Sequence, residues 1–270
     1  MMIFSRNPRA RLLRTTFVDA FAGTGYRVRS AHGGTHTSLF PELSEREAQQ
    51  FLKGSARIAL EVEPSFDSYL FIDRDRRRVK ELAKLRVEFP KKATRISVVQ
   101  ANANAYLRDW ASKTPWTGRR AVVFLDPYGM QVEWDLIAAL AQTKAIDLWI
   151  LFPLGVAVNR LLPRNEPPPD EWGQALDRIL GTQEWREAFY RTRMQPTLFG
   201  EEEVRAREAT IGAVGEFFVQ RLKSVFEMVA ENPRPLLNSR NVPLYLLCFA
   251  AGNPKGAPTA VRIARSLLAR

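Results

Sequence analysis

Short apolar runs rich in β-branched residues alternate along this chain with stretches whose apolar residues recur at helical spacing. The apolar runs are residues 15–20, 68–72, 96–100, 121–125, 145–152, 225–229 and 242–250. Such alternation is typical of βαβ units and predicts a Rossmann-like α/β fold with a seven-stranded, mostly parallel sheet. The connection between the last two runs is rich in proline and has no helical pattern, so these two strands are predicted to pair antiparallel.

Helical patterns account for most of the remaining chain. They cover residues 44–52, 55–62, 76–89, 104–111, 134–142, 170–178, 184–192 and 204–223. Two segments do not fit a minimal βαβ unit, residues 28–53 and 161–200, and we interpret them as helical insertions into a single domain spanning residues 1–270.

The composition narrows the class of protein further. With 46% hydrophobic and 26% charged residues the chain has the balance of a globular protein, and its single cysteine, Cys248, rules out an intramolecular disulfide. No secretion signal is evident, and no apolar run approaches the roughly 20 residues of a bilayer span, so a cytoplasmic location without membrane attachment is expected. His32 and His36 have no nearby carboxylate or thiolate, and no metal site is expected.

The formal net charge is +11 and the pI is about 10.1, which favours a polyanionic partner, RNA or DNA. A merely basic surface is the alternative.

The first predicted strand runs into a turn with glycine at alternate positions. This turn contains Asp19, Phe21, Gly23 and Gly25. Glycine lets the backbone approach a ligand closely and reach positive φ. A carboxylate beside such a turn suits a cationic ligand end, such as the amino group of a methionine moiety, and gives nothing to a pyrophosphate.

Polar residues also end the second and third predicted strands. Asp73 is placed to accept hydrogen bonds from both hydroxyls of a ribose. Asn102 is placed to recognise an adenine edge through its amide, whereas Asn104 is expected to cap the next helix, and capping by both is the alternative.

The fourth predicted strand ends in Asp126, Pro127, Tyr128 and Gly129, at the edge where open α/β sheets bind ligands. Pro127 restricts the turn, so that Asp126 and a backbone carbonyl can accept from one amine. Tyr128 can stack on the ring that carries this amine. A simple Asp-Pro turn is the alternative.

These motifs resemble the three-Cys-motif partner protein family, TcmP, a bacterial group with the fold of class I S-adenosylmethionine (SAM) dependent methyltransferases. The similarity lies in residues 17–25, 54–61, 71–75, 124–129 and 145–159. It implies SAM as cofactor, bound by Asp19, Phe21, Gly23, Gly25 and Asp73, a methyl-transfer loop at 126–129, and a partner protein with three motif cysteines.

Two functions therefore stand as hypotheses. The first is N-methylation of an amine of a nucleic acid base. The second is a SAM-binding interaction subunit that supports the three-cysteine protein without transferring methyl itself. The sequence differs from the signature of amino-methyltransferases at Tyr128, because that signature, Asp-Pro-Pro-Tyr, has a second proline before the tyrosine. The Asp-Pro-aromatic-Gly form found here resembles guanine-N2 tRNA methyltransferases instead.

Overall fold

The structure is a computed structural model that describes residues 13–23, 54–197 and 200–270. The first predicted insertion, residues 28–53, together with the predicted helix at 44–52, His32 and His36, lies outside these residues. Within them, no helix is long and apolar enough to span a bilayer.

Strands and helices alternate along the described chain. The strands are β1 (Arg14–Asp19), β2 (Ser68–Asp73), β3 (Ile96–Gln100), β4 (Arg119–Leu125), β5 (Ile146–Phe152), β6 (Tyr190–Thr197), β7 (Gly200–Arg207), β8 (Met228–Val229), β9 (Arg234–Leu237) and β10 (Pro243–Ala251). The α-helices are α1 (Ser55–Glu61), α2 (Arg76–Ala83), α3 (Leu85–Glu88), α4 (Ala103–Lys113), α5 (Trp134–Gln142), α6 (Asp170–Leu180), α7 (Trp185–Phe189), α8 (Ile211–Lys223) and α9 (Ala257–Leu268). Two 3₁₀ segments are Pro90–Arg95 and Val158–Leu161.

The main sheet has the strand order of class I methyltransferases. The order is β3-β2-β1-β4-β5-β10-β8, with β9 pairing on β10. The first five strands are parallel, and β10 is antiparallel to both β5 and β8. The predicted seven-stranded, mostly parallel sheet with an antiparallel last strand is confirmed, and β9 is an eighth strand that the sequence pattern did not indicate.

Helices cover both faces of the sheet. The larger buried cluster joins the central strands to α4, α5, α6 and α8, and it includes Val123, Leu148 and Phe218. A second cluster on the other side packs Tyr69 and Phe71 against α1, α2 and α3. A third joins α9 to β10. Burial on both sides explains why consecutive apolar residues occur in the central strands, as in residues 70–72 and 121–125.

The second predicted insertion differs in its last part. The predicted helix at 184–192 ends at Phe189, and the helix predicted to begin at residue 204 begins at Ile211, because residues 190–197 and 200–207 pair as the β6–β7 hairpin. Contacts far along the chain stabilise this hairpin: the buried Tyr190 donates its hydroxyl to the carbonyl of Pro163 at 2.9 Å, and Arg207 donates to Asn159 Oδ1 at 2.8 Å. Tertiary pairing thus outweighs the helical propensity of the acidic residues in β7.

Two smaller boundaries also differ. The predicted helix at 76–89 is divided into α2 and α3, and the strand predicted at 225–229 pairs only at Met228–Val229.

Candidate functional site

A polar cleft of about 570 Å³ lies at the carboxyl edge of the parallel strands. The register explains why acidic residues meet there: Asp19 pairs with Phe71 of β2 and Phe124 of β4, so Asp73 and Asp126 each follow two residues beyond that level. The lining residues are Ala20, Phe21, Asp73, Arg74, Asp75, Arg78, Ala101, Asn102, Ala103, Asn104, Asp126, Tyr128, Gln131 and Glu133.

Asp73 is held in a fixed orientation at the end of β2. Its Oδ2 accepts from the backbone N–H of Gly23 at 3.1 Å, and its Oδ1 accepts from that of Asp75 at 2.7 Å. The carboxylate is 6% exposed and lines the cleft. An ionised carboxylate has about four acceptor positions, so each oxygen keeps capacity for a further donor.

Asp19 is placed differently from the prediction. It is fully buried and does not line the cleft: its Oδ2 accepts from Ser55 Oγ at 2.5 Å and its Oδ1 from the Phe21 N–H at 3.4 Å. Its partners in the structure are therefore the glycine-rich turn and the first residue of α1. Burial raises the pKa of Asp19 to about 7, the carboxylates of Asp126 and Asp73 add to the rise, and the two hydrogen bonds oppose it.

The turn after β1 has the conformation that glycine allows. Gly23 has φ of +62°, a region that residues with a Cβ rarely adopt. Its N–H is the donor to Asp73, so the turn and the acid of β2 support each other. Phe21 lines the cleft, and Gly25 lies outside the described residues.

The loop after β4 presents its polar and aromatic groups to the cleft. Asp126 is half-buried, Pro127 is buried beneath the loop, and Tyr128 is 78% exposed. Gly129 has φ of +74°, which turns the chain toward α5. Of the three residues predicted for catalysis, Asp126 and Tyr128 line the cleft and the Pro127 side chain does not.

Asn104 fixes the far end of this loop. The side chain is 6% exposed; its Nδ2 donates to the carbonyl of Gln131 at 2.7 Å, and its Oδ1 accepts from the Glu133 N–H at 3.0 Å. The expectation that Asn104 caps α4 is wrong. Asn102 is the cap, accepting from the Ala105 N–H at 3.2 Å, so its amide nitrogen is the group left for recognition of an adenine edge.

Two arginines line the cleft without having been assigned to it from the sequence. Arg78 Nη1 lies 3.6 Å from Asp73 Oδ2, and Arg74 directly follows that acid. The sequence signal was present as a run of basic residues, but only the fold places its first and last members at the cleft.

Other features of the described residues do not offer a comparable site. No group of three or more His, Cys, Asp or Glu within the described ranges is arranged to hold a metal ion. A second cavity, about 360 Å³ between α8 and the β9–β10 region, is mainly apolar. Cys248 is fully buried, and burial raises the pKa of its thiol, which identifies it as part of the core.

No family model matches the sequence, and no curated protein matches it significantly. TcmP membership therefore remains a prediction.

Solved structures with a similar fold are distant in sequence. Protein LPL1258 of Legionella pneumophila, assigned to DUF519, is 10% identical with a TM-score of 0.49, and the match covers 99% of this chain and 86% of that one. The methyltransferase-like yhhF protein of Escherichia coli is 17% identical with a TM-score of 0.29, over 74% and 79% of the two chains. The N-terminal domain of EvdMO1, solved with SAH bound, is 12% identical with a TM-score of 0.36, over 93% and 83%. At these values the fold assignment rests on this chain's own strand order, and no function follows from the matches.

Proposed function

We propose that this protein is a SAM-dependent methyltransferase that transfers a methyl group to an amine of a nucleic acid base. The observation that carries the proposal is the meeting, in one cleft, of the amide-held Asp73 and the Asp126–Tyr128 loop. The strand order brings together two groups that lie far apart in sequence, and their chemistry suits the two ends of such a reaction.

The cleft suits the cofactor in its size and in its hydrogen-bonding groups. Its volume of about 570 Å³ lies within the range of about 300–1,000 Å³ for small-molecule sites. The remaining acceptor positions of Asp73 suit the two hydroxyls of a ribose, and the amide nitrogen of Asn102 suits an acceptor on the adenine edge. When bound, SAM supplies an electrophilic methyl group.

The electrostatics favour a cationic cofactor over a dinucleotide. Four carboxylates, those of Asp73, Asp75, Asp126 and Glu133, line the cleft, against the two guanidinium groups of Arg74 and Arg78. Carboxylates gathered in this way attract a sulfonium and an ammonium group and repel a pyrophosphate. This argument supports SAM and disfavours the nicotinamide dinucleotides.

The loop after β4 is suited to hold the amine that receives the methyl group. Asp126 and the carbonyl of Pro127 would accept the two N–H bonds, so that the nitrogen lone pair points into the cleft. Tyr128, which is mostly exposed at the cleft, would stack on the ring that carries the amine. Pro127 acts only through its backbone, because its side chain is buried.

The proposal includes a three-cysteine partner protein, which the sequence resemblance implies. The exposure of Tyr128 is compatible with a second macromolecule completing this side of the cleft. The same exposure suits the alternative, a SAM-binding interaction subunit, if the partner rather than this chain carries out the chemistry.

The test separates cofactor binding from methyl transfer. Transfer of labelled methyl from SAM to total RNA and to DNA is measured with the wild type, alone and with its three-cysteine neighbour. Asp126→Asn and Tyr128→Ala are expected to keep most of the SAM affinity but to lower transfer by about 10²-fold or more, because an orienting group is lost.

Tyr128→Phe is the matched control. It keeps the ring and removes only the hydroxyl, so it is expected to retain most of the transfer. No transfer by the wild type under either condition, or equal transfer by wild type and Asp126→Asn, would exclude the catalytic assignment and leave the interaction subunit.

A further inference from the structure

Residues 74–95 hold a large share of the positive charge of this protein. This segment, which we call the basic segment, begins after β2 and includes α2, α3 and the 3₁₀ turn at Pro90–Arg95. It has ten Lys and Arg side chains and three carboxylates, and thus contributes +7 to the formal net charge of +11. The charge of the chain is therefore concentrated locally.

Most of these cations are exposed, and within the described ranges three of the ten form an ion pair. Among the described residues, the ion pairs of the segment's cations are Arg78 with Asp73, Lys84 with Glu81 and Lys92 with Glu63. The exposed cations beyond these pairs are Arg74, Arg76, Arg77, Lys80, Arg86, Lys91 and Arg95.

The position of three of the arginines opposes the stability of their own helix. Arg76, Arg77 and Arg78 form the first turn of α2, where the helix dipole favours negative charge. The cap residue Asp75, which accepts from the N–H groups of Arg77 and Arg78, offsets part of this effect. Helix stability thus does not account for these arginines.

The basic segment is continuous with the candidate site. Arg74 and Arg78, at its start, line the cleft together with Tyr128. Because β2 and β4 are separated only by β1, the ends of these strands lie roughly 10 Å apart at a strand spacing of about 4.8 Å. A nucleic acid strand whose phosphates lie along the segment could therefore place one of its bases in the cleft.

We infer that the basic segment binds the phosphate backbone of the nucleic acid whose base enters the cleft. The inference rests on the proposed function for the identity of the polyanion. Phosphates of a nucleic acid fit better than those of a membrane surface, because Val87 is the one strongly exposed apolar side chain of the described segment, whereas helices that lie on a bilayer bury a whole apolar face.

The experiment compares two variants of equal net charge. Arg76→Gln, Arg77→Gln and Lys80→Gln are combined in the first, and Arg262→Gln, Arg265→Gln and Arg270→Gln, in and after α9, in the second. None of these residues lines the cleft. Binding to fluorescein-labelled oligouridine is measured without SAM over a series of salt concentrations.

Each lost phosphate contact should reduce the slope of log K against log salt by about 0.7 for a single strand. The first variant is therefore expected to lose about 2 from the slope and to bind about tenfold more weakly at low salt, whereas the second stays close to wild type. Melting temperatures show that both variants fold. The first should be close to wild type, because removing Arg76 and Arg77 from the N-terminus of α2 favours the helix and removing Lys80 from its last turn opposes it.

Equal losses in both variants, or no loss in either, would overturn the inference, since binding would then depend on the overall charge or not on this segment. Binding to phosphatidylserine vesicles but not to oligouridine would also overturn it. The outcome is independent of methyl transfer: segment-specific binding by a protein that neither binds SAM nor transfers methyl would refute the proposed function and leave this surface intact.

Discussion

The carboxylate of Asp19 shows how one buried group links the ligand turn to the stability of the protein. It holds the Phe21 amide and the Ser55 hydroxyl, so it joins the end of β1 to the start of α1. Its burial nevertheless makes the ionised form unfavourable, and its pKa rises from the ordinary value of 3.8 to about 7.

This shift predicts that Asp19→Asn stabilises the protein at high pH. In the folded chain the proton is kept up to about pH 7, while the unfolded chain loses it near pH 3.8. The stabilisation by protonated Asp19 is complete below pH 3.8 and is lost as the pH rises to about 7, by an amount on the order of 4 kcal/mol. Asparagine is neutral throughout and avoids this loss.

Urea unfolding of wild type and Asp19→Asn at several pH values is the measurement. The variant should be more stable than wild type at pH above 7, and the difference should disappear toward pH 4. Asp135→Asn, at an exposed position, controls for the loss of a carboxylate. A pH-independent difference would show that Asp19 is ionised in the folded protein throughout this range.

At the scale of elements, α4 supports the loop that follows β4. Asn104 lies in the first turn of α4 and bonds the chain just before α5 through Gln131 and Glu133. The loop is thus held at both ends, by β4 and by this side chain, and Tyr128 lies between them. Asn104 is a positioning residue, because it acts on the reacting groups through the loop.

Asn104→Ala is expected to loosen the loop while leaving cofactor binding unchanged. Amide exchange within residues 126–133, followed by mass spectrometry, should accelerate, and methyl transfer should fall by about tenfold or more, because misplacement of reacting groups is costly. SAM affinity should change little, since the Asn104 side chain bonds to Gln131 and Glu133 and not to Asp73 or Asn102.

Asn104→Asp is the control for this variant. It keeps the acceptor for the Glu133 amide and loses the donor to Gln131, so its effects should be intermediate. If exchange increases across the whole protein and SAM affinity falls in parallel with transfer, the role of Asn104 is general stability rather than positioning.

For the whole molecule, ligand binding should be visible as stabilisation. A ligand that binds only the folded state contributes about 2.7 kcal/mol at a concentration of 100 times its Kd. SAM and S-adenosylhomocysteine should therefore raise the melting temperature by about 5 °C or more, and NAD and ATP should not.

Asp73→Ala is expected to abolish this thermal shift, and Asp73→Asn to reduce it, because the ribose hydroxyls lose their acceptors. Asp109→Ala, a change at an exposed residue of α4, serves as control. Stabilisation by NAD without stabilisation by SAM would show that the cleft binds a different cofactor.

Much of the fold and of the candidate site could be predicted from local patterns. The periodicity of apolar residues locates strands and most helices, since burial of one face depends on neighbours a few residues away. The acids at the ends of β2 and β4 could be placed at one edge because the carboxyl ends of parallel strands meet there. Five residues that the sequence predicted for the site line the cleft in the structure: Phe21, Asp73, Asn102, Asp126 and Tyr128.

Local patterns could not predict contacts between distant residues. The pairing of Asp19 with Ser55, 36 residues away, decides that this acid is buried instead of lining the cleft. Asn104 bonds to Gln131, 27 residues away, and Arg207 bonds to Asn159, 48 residues away. The local pattern therefore predicted neither the role of Asn104 in holding the loop after β4 nor the β6–β7 hairpin.

The sequence by itself thus determined which residues could carry the chemistry and at which edge of a parallel sheet they would lie, because strand periodicity and strand ends are local properties. Only the tertiary structure decided which of them are buried, which are exposed and which are hydrogen-bonded to distant segments. Burial and hydrogen bonding depend on which segments pack together, and a side chain such as that of Asp19 or Asn104 has no local signal for its distant partner.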